Sequence, residues 1–197
     1  MMKYIAVFCG SSQGASPDYI DQARKFGEEL AKRDMTLVYG GASVGVMGAV
    51  SDAVLDAGGH VIGIMPTFLE QKEISHKRLS ELIVVDSMHE RKAKMAELAD
   101  GFVALPGGPG TLEEFFEVFT WAQLGLHQKP CGLLNINRYF DPLVELFNHM
   151  ITEQFLQERY RAMALVDVEP HKLLDKFDSY EAPAVKTWDG KTGPLSQ

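Results

Sequence analysis

Two apolar runs in this chain end in glycine-rich turns that pass directly into helical periodicity, and that order constrains the fold more than any other feature. Residues 101–105 read as a short buried strand, broken at Pro106-Gly107-Gly108-Pro109-Gly110 before an apolar helical pattern over residues 111–124. Residues 36–39 behave the same way, running into Gly40-Gly41-Ala42-Ser43-Val44-Gly45-Val46-Met47-Gly48 and a helix over 46–57 that stops at Gly58-Gly59. Glycine lets the backbone turn tightly and approach a ligand, and free amides at a helix N-terminus favour an anion. The loop after residue 105 therefore predicts a bound phosphate.

The rest of the chain keeps the alternation. Residues 4–9 form a strand ending in the polar loop Gly10-Ser11-Ser12-Gln13-Gly14, followed by Ser16 as N-cap and Pro17 as first helical residue. Ile20, Ala23, Phe26, Gly27, Leu30 and Ala31 make the apolar face of that helix. Further strands fall over residues 60–65, 82–85, 130–134 and 164–168, and further helices over 87–99, 140–150, 152–162 and 170–179. A long charged connection spans residues 66–80.

Such alternation implies an α/β fold: one doubly wound, mostly parallel, Rossmann-like sheet with helices on both faces, occupying residues 1–180 as a single domain. Residues 181–197 are expected to be a poorly ordered tail. Ligands of such sheets bind beyond the carboxyl ends of the strands. Gly10, Ser11, Gly40, Gly41 and Met47 are thus possible loop contacts in one composite site with the Gly107 loop. Neither loop meets the G-x-G-x-x-G spacing and no G-x-x-x-x-G-K-[ST] occurs, which disfavours NAD, FAD and an ATP-hydrolysing P-loop. No cofactor is expected, and His76, His89 and His127 lack the spacing of metal ligands.

Composition narrows the partners. The net charge of −8 is spread over 197 residues without a basic tract, so a nucleic-acid polymer is a poor partner, whereas a small anion needs only a locally positive pocket. No run approaches a membrane span, the N-terminal apolar stretch is too short for a signal peptide, and Cys9 and Cys131 read as separate buried thiols. A cytoplasmic protein is expected. The 111–124 helix carries Leu112, Phe115, Phe116, Val118, Phe119, Trp121, Ala122 and Leu124, more than one core-facing stripe. A neighbouring helix or a second subunit would cover the excess; symmetric dimers being the commonest oligomers, a homodimer is favoured.

Charges near helix starts carry the remaining signal. Glu113 and Glu114 suit a first helical turn, where acids favour the dipole. Arg91 opposes the dipole of its own helix at a cost of a few tenths to ~1 kcal/mol, which suggests an anionic partner.

With these residues in hand, the chain resembles a known family. Pro106-Gly107-Gly108-Pro109-Gly110-Thr111-Leu112-Glu113-Glu114 matches the PGGxGTxxE signature of the Lonely Guy family, cytokinin riboside 5′-monophosphate phosphoribohydrolases long mislabelled as lysine decarboxylases. Met88-His89-Glu90-Arg91-Lys92 resembles the family's MxxRK segment, and Gly40-Gly41-Ala42 through Val46-Met47-Gly48 its GGGxxGLMG. The likeness continues through Thr120-Trp121-Ala122-Gln123-Leu124-Gly125, Lys129-Pro130 and Gly132-Leu133-Leu134-Asn135.

The resemblance implies hydrolysis of the N-glycosidic bond of a nucleoside 5′-monophosphate. It assigns catalysis to Arg91 and Glu114 and substrate binding to Gly107, Gly108, Pro109, Gly110, Thr111, Leu112 and Glu113, with Glu73, Lys92 and Thr120 as further contacts. Glu114 would stabilise or attack an oxocarbenium-like sugar; Glu113 reads better as structural. Arg91 would orient that carboxylate or neutralise ligand charge. Ala42 stands where the family often carries glycine, adding a methyl to a ligand-approaching loop, and Pro109 removes one amide donor. Two alternatives share the fold or the old label: a non-catalytic nucleotide or molybdenum-cofactor carrier, and an amino-acid decarboxylase, which would need pyridoxal phosphate and a Schiff-base lysine.

Overall fold

A computed structural model describes residues 2–70 and 75–183. Glu73 and the tail from residue 184 lie outside the described residues. Seven strands, β1 (Tyr4–Phe8), β2 (Thr36–Tyr39), β3 (Val61–Pro66), β4 (Glu81–Val85), β5 (Gly101–Ala104), β6 (Cys131–Leu134) and β7 (Ala164–Asp167), form one sheet in the order β4-β3-β2-β1-β5-β6-β7. Every pair is parallel, so the sheet expected to be mostly parallel is wholly so among the named strands. Parallel strands need long crossovers, which here carry the helices α1 (Asp18–Lys32), α2 (Gly45–Asp56), α3 (Thr67–Glu70), α4 (Met88–Leu98), α5 (Pro109–Gln123), α6 (Asp141–Thr152) and α7 (Glu158–Arg161), while α8 (Pro170–Asp178) follows the last strand.

The central strand shows why these runs are apolar on both sides. Ile5 and Val7 point into one core with Phe26 and Leu30 of α1, Val50 and Val54 of α2 and Phe177 of α8. Ala6 and Phe8 point into the other, with Met95 of α4, Phe115 and Phe119 of α5 and Phe147 of α6. Both faces are covered, so alternation with polar residues disappears. The order in which the chain lays down its strands reverses between β1 and β5. Asp100 locks that junction by accepting from the backbone N–H of Lys3 (2.7 Å) and Tyr4 (3.0 Å), and Gly10 N donates to Pro106 O (3.1 Å) above it.

Several boundaries differ from the sequence reading. The helix expected from residue 111 begins at Pro109, whose fixed φ suits the first helical position. The first helix begins at Asp18, one residue later than expected, with Ser16 Oγ accepting from Asp18 N (3.3 Å). The expected helix over 152–162 shrinks to the four residues of α7. Gln154 adopts a left-handed φ of 64°, and the amides of Phe155 and Leu156 fold back onto Met150 O, closing α6 at that point. On α5, Phe116 and Phe119 pack against Phe147 of α6 at centroid distances of 5.6 and 5.4 Å, so a neighbouring helix covers part of the apolar excess. Leu124 and Leu126, at its end, stay exposed. Among the described residues, no helix is long and apolar enough to cross a membrane.

Candidate active site

A cavity of about 240 Å³ opens at the carboxyl edge of the sheet, beside the β1–β5 reversal. Its walls are Cys9, Gly10 and Ser11 after β1, Gly40 after β2, Met47 of α2, Met88, Arg91 and Met95 of α4, and Gly108, Gly110, Thr111, Glu113 and Glu114 around the start of α5. The Gly10, Gly40 and Gly107 loops, expected to share one composite site, each contribute to this one space.

Helix α5 enters it uncapped. Gly108 precedes the helix in extended backbone (φ −86°, ψ −163°) with no side-chain cap, and Pro109 has no N–H to give. The first bond of the helix runs from Leu112 N to Gly108 O (3.4 Å). That leaves the amides of Gly108, Gly110 and Thr111 free of backbone partners among the described residues, a ready anion cradle at the positive end of the helix dipole.

Arg91 projects from the first turn of α4, which Ser87 caps by accepting from Glu90 N (3.1 Å). Its residue is only 7% exposed, and among the described residues its Nε has no hydrogen-bond partner and Nη1 meets nothing more polar than Met88 Sδ at 3.7 Å. Among the described residues no carboxylate lies within 4 Å of it. Gly40 creates the space: a Cβ there would overlap Arg91 Nη2. A buried guanidinium without a counter-ion is costly, and the cavity is where a counter-ion would sit.

The two acids after the glycine loop diverge. Glu113 accepts from Lys92 Nζ (2.6 Å), and Glu117 one turn on is paired with the same ammonium (3.1 Å). Glu114 points into the cavity. Burial pushes its carboxyl up to about 7, against the pull of the Arg91 charge. Beside it, burial drives the Cys9 thiol far above its usual range, so it stays protonated and unreactive.

Not every expected contact reaches this space. Lys92, expected at the substrate, is instead consumed by Glu113 and Glu117, and the hydrogen bond to Glu113 holds it charged, its pKa raised. Leu112 packs half-buried against the core, and Thr120 is exposed six residues beyond Glu114, ~9 Å along the helix. Pro109 is exposed at the first turn, and Gly107 lines an adjoining cavity. Gly41, at φ 84°, packs against Gly63 of β3, and Ala42 is fully buried and bridged to Ser75. The methyl of Ala42 therefore faces protein and not ligand. Met95, for which no role was expected, and Cys9, expected only as a buried thiol, also line the cavity. Only their positions, one helical turn past Arg91 and one residue past β1, hint at the cavity.

A wholly parallel sheet with this order, reversing beside an uncapped glycine-led helix, defines a Rossmann-like α/β protein with an anion-ready pocket at its switch point. Comparison with known proteins narrows the class. A family model described as possible lysine decarboxylase matches residues 47–177. The chain is 48% identical over 176 residues to the probable cytokinin riboside 5′-monophosphate phosphoribohydrolase LOGL6 of Oryza sativa subsp. japonica, covering 89% of this chain and 70% of that one. It is 46% identical over 187 residues to the cytokinin riboside 5′-monophosphate phosphoribohydrolase LOG of the same plant, covering 94% and 77%. The chain belongs to this Lonely Guy family. Among solved structures, the molybdenum cofactor binding protein from the phototrophic bacterium Rippkaea orientalis superimposes with a TM-score of 0.68 at 22% identity, over 91% of this chain and 97% of that one; this likeness is one of fold.

Proposed function

We propose that the protein hydrolyses the N-glycosidic bond of a nucleoside 5′-monophosphate, AMP or a cytokinin riboside 5′-monophosphate, to the free base and ribose 5-phosphate. The observation that carries this reading is the buried Arg91, without an ion-pair partner among the described residues, facing a carboxyl and three amides likewise free of backbone partners across one small cavity. The amides of Gly108, Gly110 and Thr111, with the Thr111 hydroxyl, hold the phosphate. Arg91 neutralises ligand charge. Departure of the base leaves positive charge on the sugar, and Glu114 stabilises it or attacks the anomeric carbon; both roles need the ionised carboxylate. Water then supplies hydroxyl to that carbon and a proton to the base.

Glu114 argues against a plain carrier. An anion binder gains nothing from burying an acid beside its anion, whereas a glycosidase needs one there. A Schiff-base decarboxylase needs a neutral lysine, yet no lysine lines the cavity among the described residues, and Lys92, bonded to the lining residue Glu113, is held charged by it. The exposed Leu124 and Leu126, with half-buried Trp121, fit a homodimer contact at the end of α5. Two buried, unpaired thiols fit a cytoplasmic setting.

Incubation with AMP and with isopentenyladenosine monophosphate, following free base by chromatography, tests the proposal. Wild type should release base, and Glu114→Gln should lose at least about a hundredfold in kcat while retaining phosphate binding. Tight AMP binding without base release by either protein would leave the carrier reading in its place. Sedimentation or light scattering of wild type beside Leu124→Asp tests the dimer.

A further inference from the structure

The turn after β6 is strained without any glycine. Asn137 and Arg138 both hold left-handed backbone, at φ 51° and 60°, a conformation disfavoured for side-chain-bearing residues and more so for Arg138 than for Asn137. Polar side chains hold the turn in place. Asn135 Nδ2 donates to Asp141 (2.7 Å) while its Oδ1 accepts from Phe140 N (2.7 Å), Asn137 Nδ2 donates to Asp18 of α1 (2.9 Å), and Arg138 Nε donates to Asp141 (2.6 Å). The residue so positioned is Tyr139. Its hydroxyl donates to Gly107 O at 2.6 Å, inside the glycine loop that precedes α5, and Tyr19 of α1 packs edge-on against its ring at 6.0 Å.

That carbonyl belongs to the same peptide group as the Gly108 amide. In a trans peptide the C=O and N–H point in opposite directions. Gly107 and Tyr139 line a second cavity, while Gly108 lines both cavities. With its carbonyl held on the Tyr139 side, the peptide aims its N–H towards the first cavity. Glycines flank the peptide on both sides, so rotation of this unit would otherwise be inexpensive. Pro109 contributes no N–H, which makes the Gly108 amide one of only three donors at this helix start. A hydrogen bond accepted at the carbonyl also polarises the amide and strengthens it as a donor.

We infer that Tyr139 is a positioning residue for the phosphate loop, fixing the Gly107–Gly108 peptide so that its amide meets the anion. The inference rests on the phosphate reading given above, not on the fate of the glycosidic bond.

Tyr139→Phe keeps the ring and its contact with Tyr19 while deleting the hydrogen bond. Calorimetric titration with inorganic phosphate and with ribose 5-phosphate should show binding weakened about three- to tenfold, the worth of one hydrogen bond. KM for AMP should rise by the same factor, with kcat within about twofold and the melting temperature nearly unchanged, because the hydroxyl acts on a bound anion. Tyr19→Leu, which keeps the hydroxyl but loosens the ring, should show a smaller shift in the same direction. Equal phosphate affinity in wild type and Tyr139→Phe, or a loss confined to kcat or to melting temperature, would overturn the inference. If wild-type protein binds phosphate but releases no base from AMP, the hydrolase reading fails while the titration still decides the role of Tyr139. No phosphate binding by wild type would overturn both.

Discussion

The two glycine-rich loops look alike in sequence and are used in opposite ways. At the start of α2, the amides of Val46 and Met47 donate to Ser12 O (3.3 Å) and Gly10 O (3.2 Å), so the chain itself occupies the helix N-terminus. Its glycines make room for protein: Gly40 for the Arg91 guanidinium, and Gly48 for the backbone of Ser43. At the start of α5 the corresponding amides of Gly108, Gly110 and Thr111 have no backbone partner among the described residues, and a Cβ on Gly108 or Gly110 would meet nothing within 4 Å. One loop is a scaffold that seats a cation; the other is an open anion cradle. A glycine-rich turn before a helix is thus ambiguous until the fate of its amides is known.

The contrast can be broken most severely at Gly40. Gly40→Ala should drive the flexible guanidinium of Arg91 from its seat while leaving the fold intact, cutting turnover on the order of a hundred- to a thousandfold, close to Arg91→Ala. Retained activity would mean that Arg91 does not need that seat.

Next in size is the pH response of Glu114. Its folded value of about 7 lies above its usual 4.5, so between those limits the folded protein holds more protons than the unfolded chain. Stability should therefore fall as pH rises from about 4.5 to 7, by up to roughly 3 kcal/mol with the pull of Arg91 already counted. In melting experiments this slope should flatten in Glu114→Gln. Activity should move the other way, with kcat/KM rising through about pH 7 as the carboxylate ionises. A fall through that pH would instead make Glu114 a proton donor.

Gly48→Ala should cost about 2 kcal/mol, because its methyl meets backbone that cannot move aside, and denaturant melts will measure this. The smallest effect separates the loops most cleanly. Gly110→Ala, inside a helix with open space around it, should hold or gain up to ~1 kcal/mol of stability while KM for the monophosphate rises. Loss of stability at Gly110 would erase the distinction drawn between the two loops.

Much of this was legible from the sequence because it is local. Strand runs, the glycine stops and the acids at the start of the following helix follow from short-range rules, and the division between Glu113 and Glu114 could be anticipated from one motif. Contacts between distant elements could not. Lys92 reads as a substrate contact until α5 brings Glu113 and Glu117 to it. Ala42 reads as part of a ligand loop until Ser75 pairs with it. Tyr139 has no local signal at all, since its partner Gly107 lies 32 residues away and the intervening turn is held by polar side chains rather than by glycine. The helix expected over 152–162 is shorter than expected because left-handed Gln154 is not a residue type that announces a helix end.

The junction of β1 with β5 bears on how the protein acquires its site. Asp100 reaches the Tyr4 amide across 96 residues, and the cavity has one wall on each side of that seam. A chain folded only through β4 would possess the scaffold loop but no anion cradle. Closing so long a loop is slow relative to local helix formation, so the pocket is expected to assemble late. A ligand that recognises only the closed seam then acts as a clasp on the whole sheet, and at a hundred times its dissociation constant it would add ~2.7 kcal/mol against unfolding.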